Sequence, residues 1–382
     1  MDDITPEIRL KGFNEPWQMR KLGDIAEFNP RSVLPDSFEY IDLESVVGIE
    51  LISHRTENKD TAPSRAQRLA KKGDVFFQMV RPYQMNNYLF NLPHKNYVFS
   101  TGYAQLRPNI DSYFLLYLLQ EQKFVTKVIE NCTGTSYPAI NSTTLANIGV
   151  CITQDKEEQT AIGNFFRALD ENITLHKQKL DCLKQLKKGY LQQMFPQTGE
   201  TMPRVRFEGF TETWSIRTLG EISEIKTGAS DVQDADPNGE YPFFVRSEKI
   251  ARSSKYLFDG EAILIPGEGR IGDIYHYING KFDFHQRVYK ISNFANNVNG
   301  KFILYTMQKT FKQHAMIHTA KATVDSLRLP ILTGFNIQLP SLQEQTAIGD
   351  FFYNLDNQII THTQKVKELK QLKTAYLQKM FI

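Results

Sequence analysis

The chain repeats itself, and the repeat limits what it can become. Residues 158–195 align without a gap with residues 344–381, and 24 of the 38 positions are identical. Both copies open on EQTAIG and close on YLQ, one variable residue, then MF. A weaker repeat sits upstream of each: 6–28 (PEIRLKGFNEPWQMRKLGDIAEF) matches 203–225 (PRVRFEGFTETWSIRTLGEISEI) at 11 of 23 positions. The only two tryptophans, Trp17 and Trp214, are equivalent. The 382 residues therefore form two halves, each with a shared opening, a divergent middle and a shared end.

In the shared ends, apolar residues recur at intervals of three and four. The first copy has Ile162, Phe165, Phe166, Leu169, Ile173, Leu180, Leu183, Leu186, Tyr190 and Met194. The second has Ile348, Phe351, Phe352, Leu355, Ile359, Val366, Leu369, Leu372, Tyr376 and Met380 in the same phase. No proline interrupts either run, and Pro196 stops the first. Each is predicted to be one helix, roughly 57 Å long at about 1.5 Å per residue. So long a stripe must bury itself, and its nearest partner is its own repeat. The expected arrangement is an antiparallel coiled-coil spacer with a globular region at each end, related by a pseudo-two-fold axis. The predicted division is globular regions over 1–154 and 197–342, with spacer helices over 155–196 and 343–382. His176 and His362 are equivalent on the stripe; they either fix its register as buried polar groups or sit partly in water.

The divergent middles share an order of elements. Strands are predicted over 74–80 and 262–265, each after a Gly-plus-acid turn, Gly73-Asp74 and Gly260-Glu261. Further strands are predicted over 97–99, 274–278 and 287–291, and short helices over 112–130 and 300–314. The fold class is α/β (α+β). Past the two turns the residues stop matching: RPYQMNNYLF stands where GEGRIGDIYH does. Like helices with unlike loops suit a device whose two ends read different targets while its helices bind the same partner twice. An old duplication whose loops drift faster than its helices gives the same pattern.

Bulk properties exclude several classes. No run of eighteen apolar residues occurs, and the first fifteen residues lack the apolar stretch of a signal peptide. A cytoplasmic protein without membrane contact is expected. Cys132, Cys151 and Cys182 are too few for a disulfide framework or a four-ligand zinc site. The formal charge is +2; residues 1–154 hold 16 basic and 17 acidic side chains, and 197–342 hold 17 and 16. A nucleic-acid binder usually carries a basic excess, so bulk charge does not point to DNA. No GxxxxGK[ST], HExxH, GxSxG or CxxC is present, nor an Asn/Asp-Pro-Pro-aromatic tetrapeptide. The stretch Gly267-Glu268-Gly269-Arg270-Ile271-Gly272 fits GxGxxG, but DIYHYING follows it and reads as a hairpin. A dinucleotide site needs a helix there. No catalytic or metal-binding residue is expected on the chain.

Base edges are read by Arg or Lys on guanine and by Asn or Gln on adenine. Arg81, Tyr83, Gln84, Asn86 and Asn87 crowd those side chains into one loop after a strand, and Ser136 with Tyr137 lies in a second polar loop, 133–141. In the other half the candidates are Arg246, Arg270, Gln286, Arg287, Lys321 and Thr323. Polar loops of this composition are also ordinary solvated surface; their matching places in a duplicated scaffold favour the reading role.

With these residues in view, the chain resembles the specificity subunit of type I restriction-modification systems. The resemblance runs over essentially the whole chain. It rests on the GF…W…LGDI and GF…W…LGEI openings, both EQTAIG…LD…LKQLK…YLQ-x-MF helices, and the GDVFF and GEAIL segments. It implies two target-recognition domains reading the halves of a bipartite, asymmetric double-stranded DNA target, with the helices as a ruler. It implies two modification subunits docked on those helices, binding S-adenosylmethionine and methylating adenine at N6. Two restriction subunits using ATP and magnesium can join them, and no cofactor belongs to this chain. Helix residues expected to form the spacer and partner surface are Phe165, Leu169, Ile173, Leu180, Leu183, Tyr190, Phe351, Leu355, Ile359, Val366, Leu369 and Tyr376. Two rivals are a self-contained nuclease or methyltransferase, which binding of the cofactor by the isolated chain would favour, and a coiled-coil adaptor whose terminal domains bind proteins without DNA sequence specificity.

Overall fold

The computed structural model describes residues 5–197, 199–319 and 326–382. They fall into two compact units: Met1–Lys177 with Gln364–Ile382, and Gln178–Thr363. Both unit boundaries fall inside the expected spacer helices, at Lys177/Gln178 and Thr363/Gln364. The long helices Lys156–Gln193 and Leu342–Met380 each contribute one part to each unit.

The shared segments are explained by packing that each unit repeats. In the first unit, strand Gln18–Lys21 pairs antiparallel with Gly149–Ile152 and runs into a one-turn helix, Leu22–Ile25. The Asp24 carboxylate accepts the Lys21 N–H at 3.2 Å, satisfying a donor that a helix start leaves open. In the second unit, Ser215–Thr218 pairs with Asn336–Leu339, and Glu221 accepts the Thr218 N–H at 3.1 Å. Trp17 lies edge-on to Phe114 and Phe381, as Trp214 does to Phe302 and Phe195.

The EQTAIG motif resolves into three contacts. Glu158 takes a two-pronged ion pair from Arg9 at 2.7 and 2.9 Å, as Glu344 does from Arg206 at 2.6 and 2.7 Å. Gln159 accepts the Asp111 N–H at 3.1 Å, and Gln345 accepts that of Asn299 at 3.0 Å. Gly163 and Gly349 let the helices Ser112–Leu118 and Gly300–Thr306 come close: a Cβ there would stand 2.8 Å from Asp111 Oδ1 and 2.9 Å from Asn299 Oδ1.

Within each unit the two long helices pair antiparallel. Phe165 meets Tyr376 edge to face at 5.0 Å in the first unit, and Phe351 meets Tyr190 at 5.2 Å in the second. Ile173, Leu183 and Leu355 are buried; Leu169 and Ile359 pack partly buried against the same cores; Leu180, Val366, Leu369, His176 and His362 are half-buried. Leu186 and Leu372 are a correction: they are 41% and 43% exposed. The inward place one residue on is taken by Lys187 and Lys373, each paired with an aspartate of the opposite helix. An apolar period alone cannot show that a lysine completes the stripe.

The sheets share an order but not a continuity. In the first unit, Ala26–Phe28, Tyr103–Pro108, Val75–Gln78 and Tyr88–Leu89 form one sheet. Arg55–Asn58, Ser37–Ile41, Tyr97–Ser100 and Ala66–Leu69 form another. In the second unit, six strands run in one sheet: Glu224–Thr227, Val288–Ser292, Phe258–Pro266, His276–Phe284, Tyr241–Phe244 and Ile250–Ser253. Gly73, at φ +95°, does form the expected turn before its strand. Gly260-Glu261 does not: Gly260 lies inside a strand, directly opposite Gly280. Phe282 pairs with Phe258 while Val288 pairs with Pro266. A straight strand would separate those partners by ~27 Å, beyond the ~20 Å that the six steps from Phe282 to Val288 reach. The hairpin therefore bends. Gly260 and Gly280, at φ +146° and +142°, supply backbone that other residues rarely adopt.

Candidate nucleic-acid interface

In the first unit the two predicted loops, fifty residues apart in sequence, lie side by side. Val80 bridges to Ala139, the Arg81 N–H donates to the Pro138 carbonyl at 2.8 Å, and the Ile140 N–H to that of Met79 at 3.0 Å. Thr133 and Ala139 exchange backbone bonds of 2.9 and 3.0 Å, closing the second loop on itself. Arg81 and Met85 bracket the turn Pro82–Gln84 with left-handed backbone, φ +54° and +53°. For residues with a Cβ this costs about 1–2 kcal/mol each. Such strain is maintained only where the surroundings fix it. It carries the Arg81 guanidinium over the Tyr137 ring, 4.4 Å from its centroid, and Tyr137 remains 64% exposed.

The neighbouring candidates divide. Tyr83 and Ser136 are exposed. Gln84 is exposed but already accepts a bond from Gln78 Nε2 at 2.8 Å. Asn86 is half-buried and accepts the Gly48 N–H at 2.8 Å. Asn87 is 1% exposed, and its side-chain oxygen accepts the Gln78 N–H at 2.9 Å. Its amide holds the loop to the strand and has no free edge for a base, which corrects its place among the readers. Composition cannot separate the two uses of asparagine, because a loop leaving a strand must satisfy its backbone donors.

In the second unit GEGRIG is the connection of the bent hairpin, between Phe258–Pro266 and His276–Phe284, and no helix follows it. Gly267 lies against the next turn: its N–H donates to the Arg287 carbonyl at 2.8 Å, where a Cβ would come within 3.0 Å. Four of the predicted residues converge around that connection. Arg287 Nη1 contacts both Glu268 oxygens at 2.7 and 2.8 Å, and Arg246 Nη1 reaches the same carboxylate at 3.1 Å. Arg270 pairs with Glu248 at 2.7 Å. Gln286 donates to Asp231 at 3.2 Å. Hydrogen bonding from Arg287 holds the Glu268 carboxyl below its usual range. His276 fixes the loop that carries Arg246, its Nε2 3.0 Å from the Ser247 carbonyl, and burial pushes that imidazole's pKa down, favouring the neutral ring. Lys321 and Thr323 lie outside the described residues.

The residues missed by sequence reasoning are the carboxylates Glu268, Glu248 and Asp231. A search for base-reading side chains selects donors, while what gathers these donors is acid. Alternation of charge across loops distant in sequence carries no local signal. Among the described residues, no group of three or more His, Cys, Asp or Glu is placed to hold a metal ion, and no helix is long and apolar enough to cross a membrane.

Comparison with known proteins places the chain in a family. The profile for the type I restriction modification DNA specificity domain matches residues 14–185 and again 211–371. The chain is 28% identical over 165 residues to the type I restriction enzyme EcoDI specificity subunit of Escherichia coli, covering 43% of this chain and 36% of that one. It is 26% identical over 188 residues to the HindI specificity subunit of Haemophilus influenzae, covering 47% and 40%. The matched stretches thus span well under half of those relatives' lengths. The crystal structure of a type I restriction-modification S subunit from M. genitalium superposes with a TM-score of 0.74 over 99% of both chains, at 17% identity, which is a likeness of fold.

Proposed function

The chain belongs to the type I restriction modification DNA specificity family, and from that premise we propose that it reads a bipartite, asymmetric double-stranded DNA target, one half-site per unit, as the specificity subunit of a type I restriction-modification complex. The observation that carries this is the contrast between the two loop clusters. Arg81 stacked on Tyr137 in one unit, and Arg246, Glu268 and Arg287 in the other, are unlike reading surfaces on alike scaffolds. Unlike surfaces require unlike half-sites.

The helices, identical at 24 of 38 aligned positions, take the opposite role. Like surfaces bind like partners, so each helix pair docks one modification subunit, and their lengths set the gap between half-sites. The methylation of adenine at N6 by S-adenosylmethionine, and the ATP- and magnesium-dependent translocation and cleavage, belong to the two modification and two restriction subunits. This chain's contribution is the address. Near-neutral charge fits that division, because partner subunits can supply phosphate contacts.

The test is co-expression with a type I modification subunit from the same genome, in a host without adenine methylation, followed by mapping of modified adenines. A split motif with dissimilar halves and a fixed gap is expected. An assembled, soluble complex that methylates without sequence preference, or not at all, would favour the protein-binding adaptor.

A further inference from the structure

We infer that Arg287 and Glu268 together read a G·C pair in the second unit's half-site, with Glu268 as the positioning residue for both Arg287 and Arg246; this rests on the DNA-reading role proposed above.

Viewed from the major groove, a G·C pair presents guanine N7 and O6 as acceptors and then the cytosine amino group as a donor. An arginine beside a carboxylate presents the complementary row: two donors, then an acceptor. Arg287 uses only Nη1 on Glu268, so among the described residues Nε and Nη2 carry no side-chain partner. Glu268 keeps 28% of its side chain exposed, enough for one carboxylate oxygen to meet an amino group.

The cluster is built rather than incidental. Two guanidinium groups share one carboxylate, whereas Arg270 and Glu248 nearby form a simple pair. The backbone under Glu268 is held from both sides. Gly267 bonds to the Arg287 carbonyl through its N–H and accepts the Leu327 N–H at 2.8 Å, while Glu268 itself bridges to Ser326. Gly269, at φ +79°, turns the chain immediately afterwards. A carboxylate fixed in this way prepositions both arginines, so less side-chain freedom is lost on binding.

The experiment maps the methylation motif of the assembled complex for the unaltered chain and for Arg287→Ala, Glu268→Gln and Glu268→Asp. Each variant is first checked for unchanged co-purification and melting. The expected motif contains a G·C pair in one half. Arg287→Ala makes that position degenerate, reducing discrimination on the order of ten- to a hundredfold. Glu268→Gln relaxes the same position, Glu268→Asp restores part of it, and the other half-site is read as before. A bipartite motif whose position is unmoved by Glu268→Gln, or a uniform loss of methylation at all sites, would overturn the inference while leaving the two-reader function standing. Absence of any motif in the unaltered complex would overturn both.

Discussion

Lys373 Nζ lies 2.7 Å from each carboxylate oxygen of Asp170, and the equivalent residues of the repeat are joined the other way round, Lys187 to Asp356. The lysine comes from one copy of the helix and the aspartate from the other in both units. Each aspartate also accepts a hydroxyl bond of 2.8 Å, from Tyr117 or Tyr305, tying the helix pair to the globular part of its unit. Paired helices could slide by a turn and still bury leucines; they cannot slide and keep both ion pairs. The polar contacts therefore fix register within an otherwise apolar seam.

Lys373→Met removes one such pair and leaves Asp170 with its tyrosine alone. Both partners are largely covered, with 17% and 18% of their side chains exposed. The expected loss of stability is about 1–3 kcal/mol, between that of exposed and fully buried pairs. Calorimetry or denaturant melting measures it. A double-mutant cycle with Asp170→Asn checks the coupling, and additive losses would show that the pair does not act as a unit.

Gly163→Ala puts a methyl group 2.8 Å from Asp111 Oδ1 and 3.0 Å from the Phe114 N–H nitrogen. The domain helix must retreat, at a cost of about 1–3 kcal/mol. Gly189→Ala is the control on the same long helix, because a Cβ there meets nothing within 4 Å. That substitution should stabilise by up to ~1 kcal/mol through helix propensity alone. Equal effects at the two sites, read by thermal melting, would contradict the packing account of the motif.

Inserting four helical residues after Lys177 and four after Thr363, where the units divide, lengthens each helix by ~6 Å. If helix length sets the gap between half-sites, the methylated motif should gain about two base pairs of spacer at ~3.4 Å each. Motif mapping reads the gap directly. An unchanged gap with unchanged activity would remove the ruler from the account.

The sequence made some levels of this structure readable and hid others. The helices were legible because a 38-residue apolar period, repeated almost unchanged, admits no other regular structure. Leu186 and Leu372 fit the apolar period yet face outward, since hydrophobicity assigns the stripe and only cross-helix contact shows that Lys187 and Lys373 belong in it. The loops around Arg81 and Tyr137 were each legible as polar surface, and their meeting depends on backbone pairing between distant segments. Gly260-Glu261 has the same Gly-plus-acid pattern as Gly73-Asp74 but lies inside a strand. Its role depends on Gly280 across the hairpin, a partner that no local pattern identifies.

The most direct test of the account compares the methylation motifs of complexes carrying Arg81→Ala or Arg287→Ala. Arg81 and Arg287 belong to different units, so the account predicts that each substitution relaxes bases in one half of the motif only, and that the affected halves differ. Relaxation of the same half by both, or of both halves by either, would contradict a chain that reads its target with two independent heads.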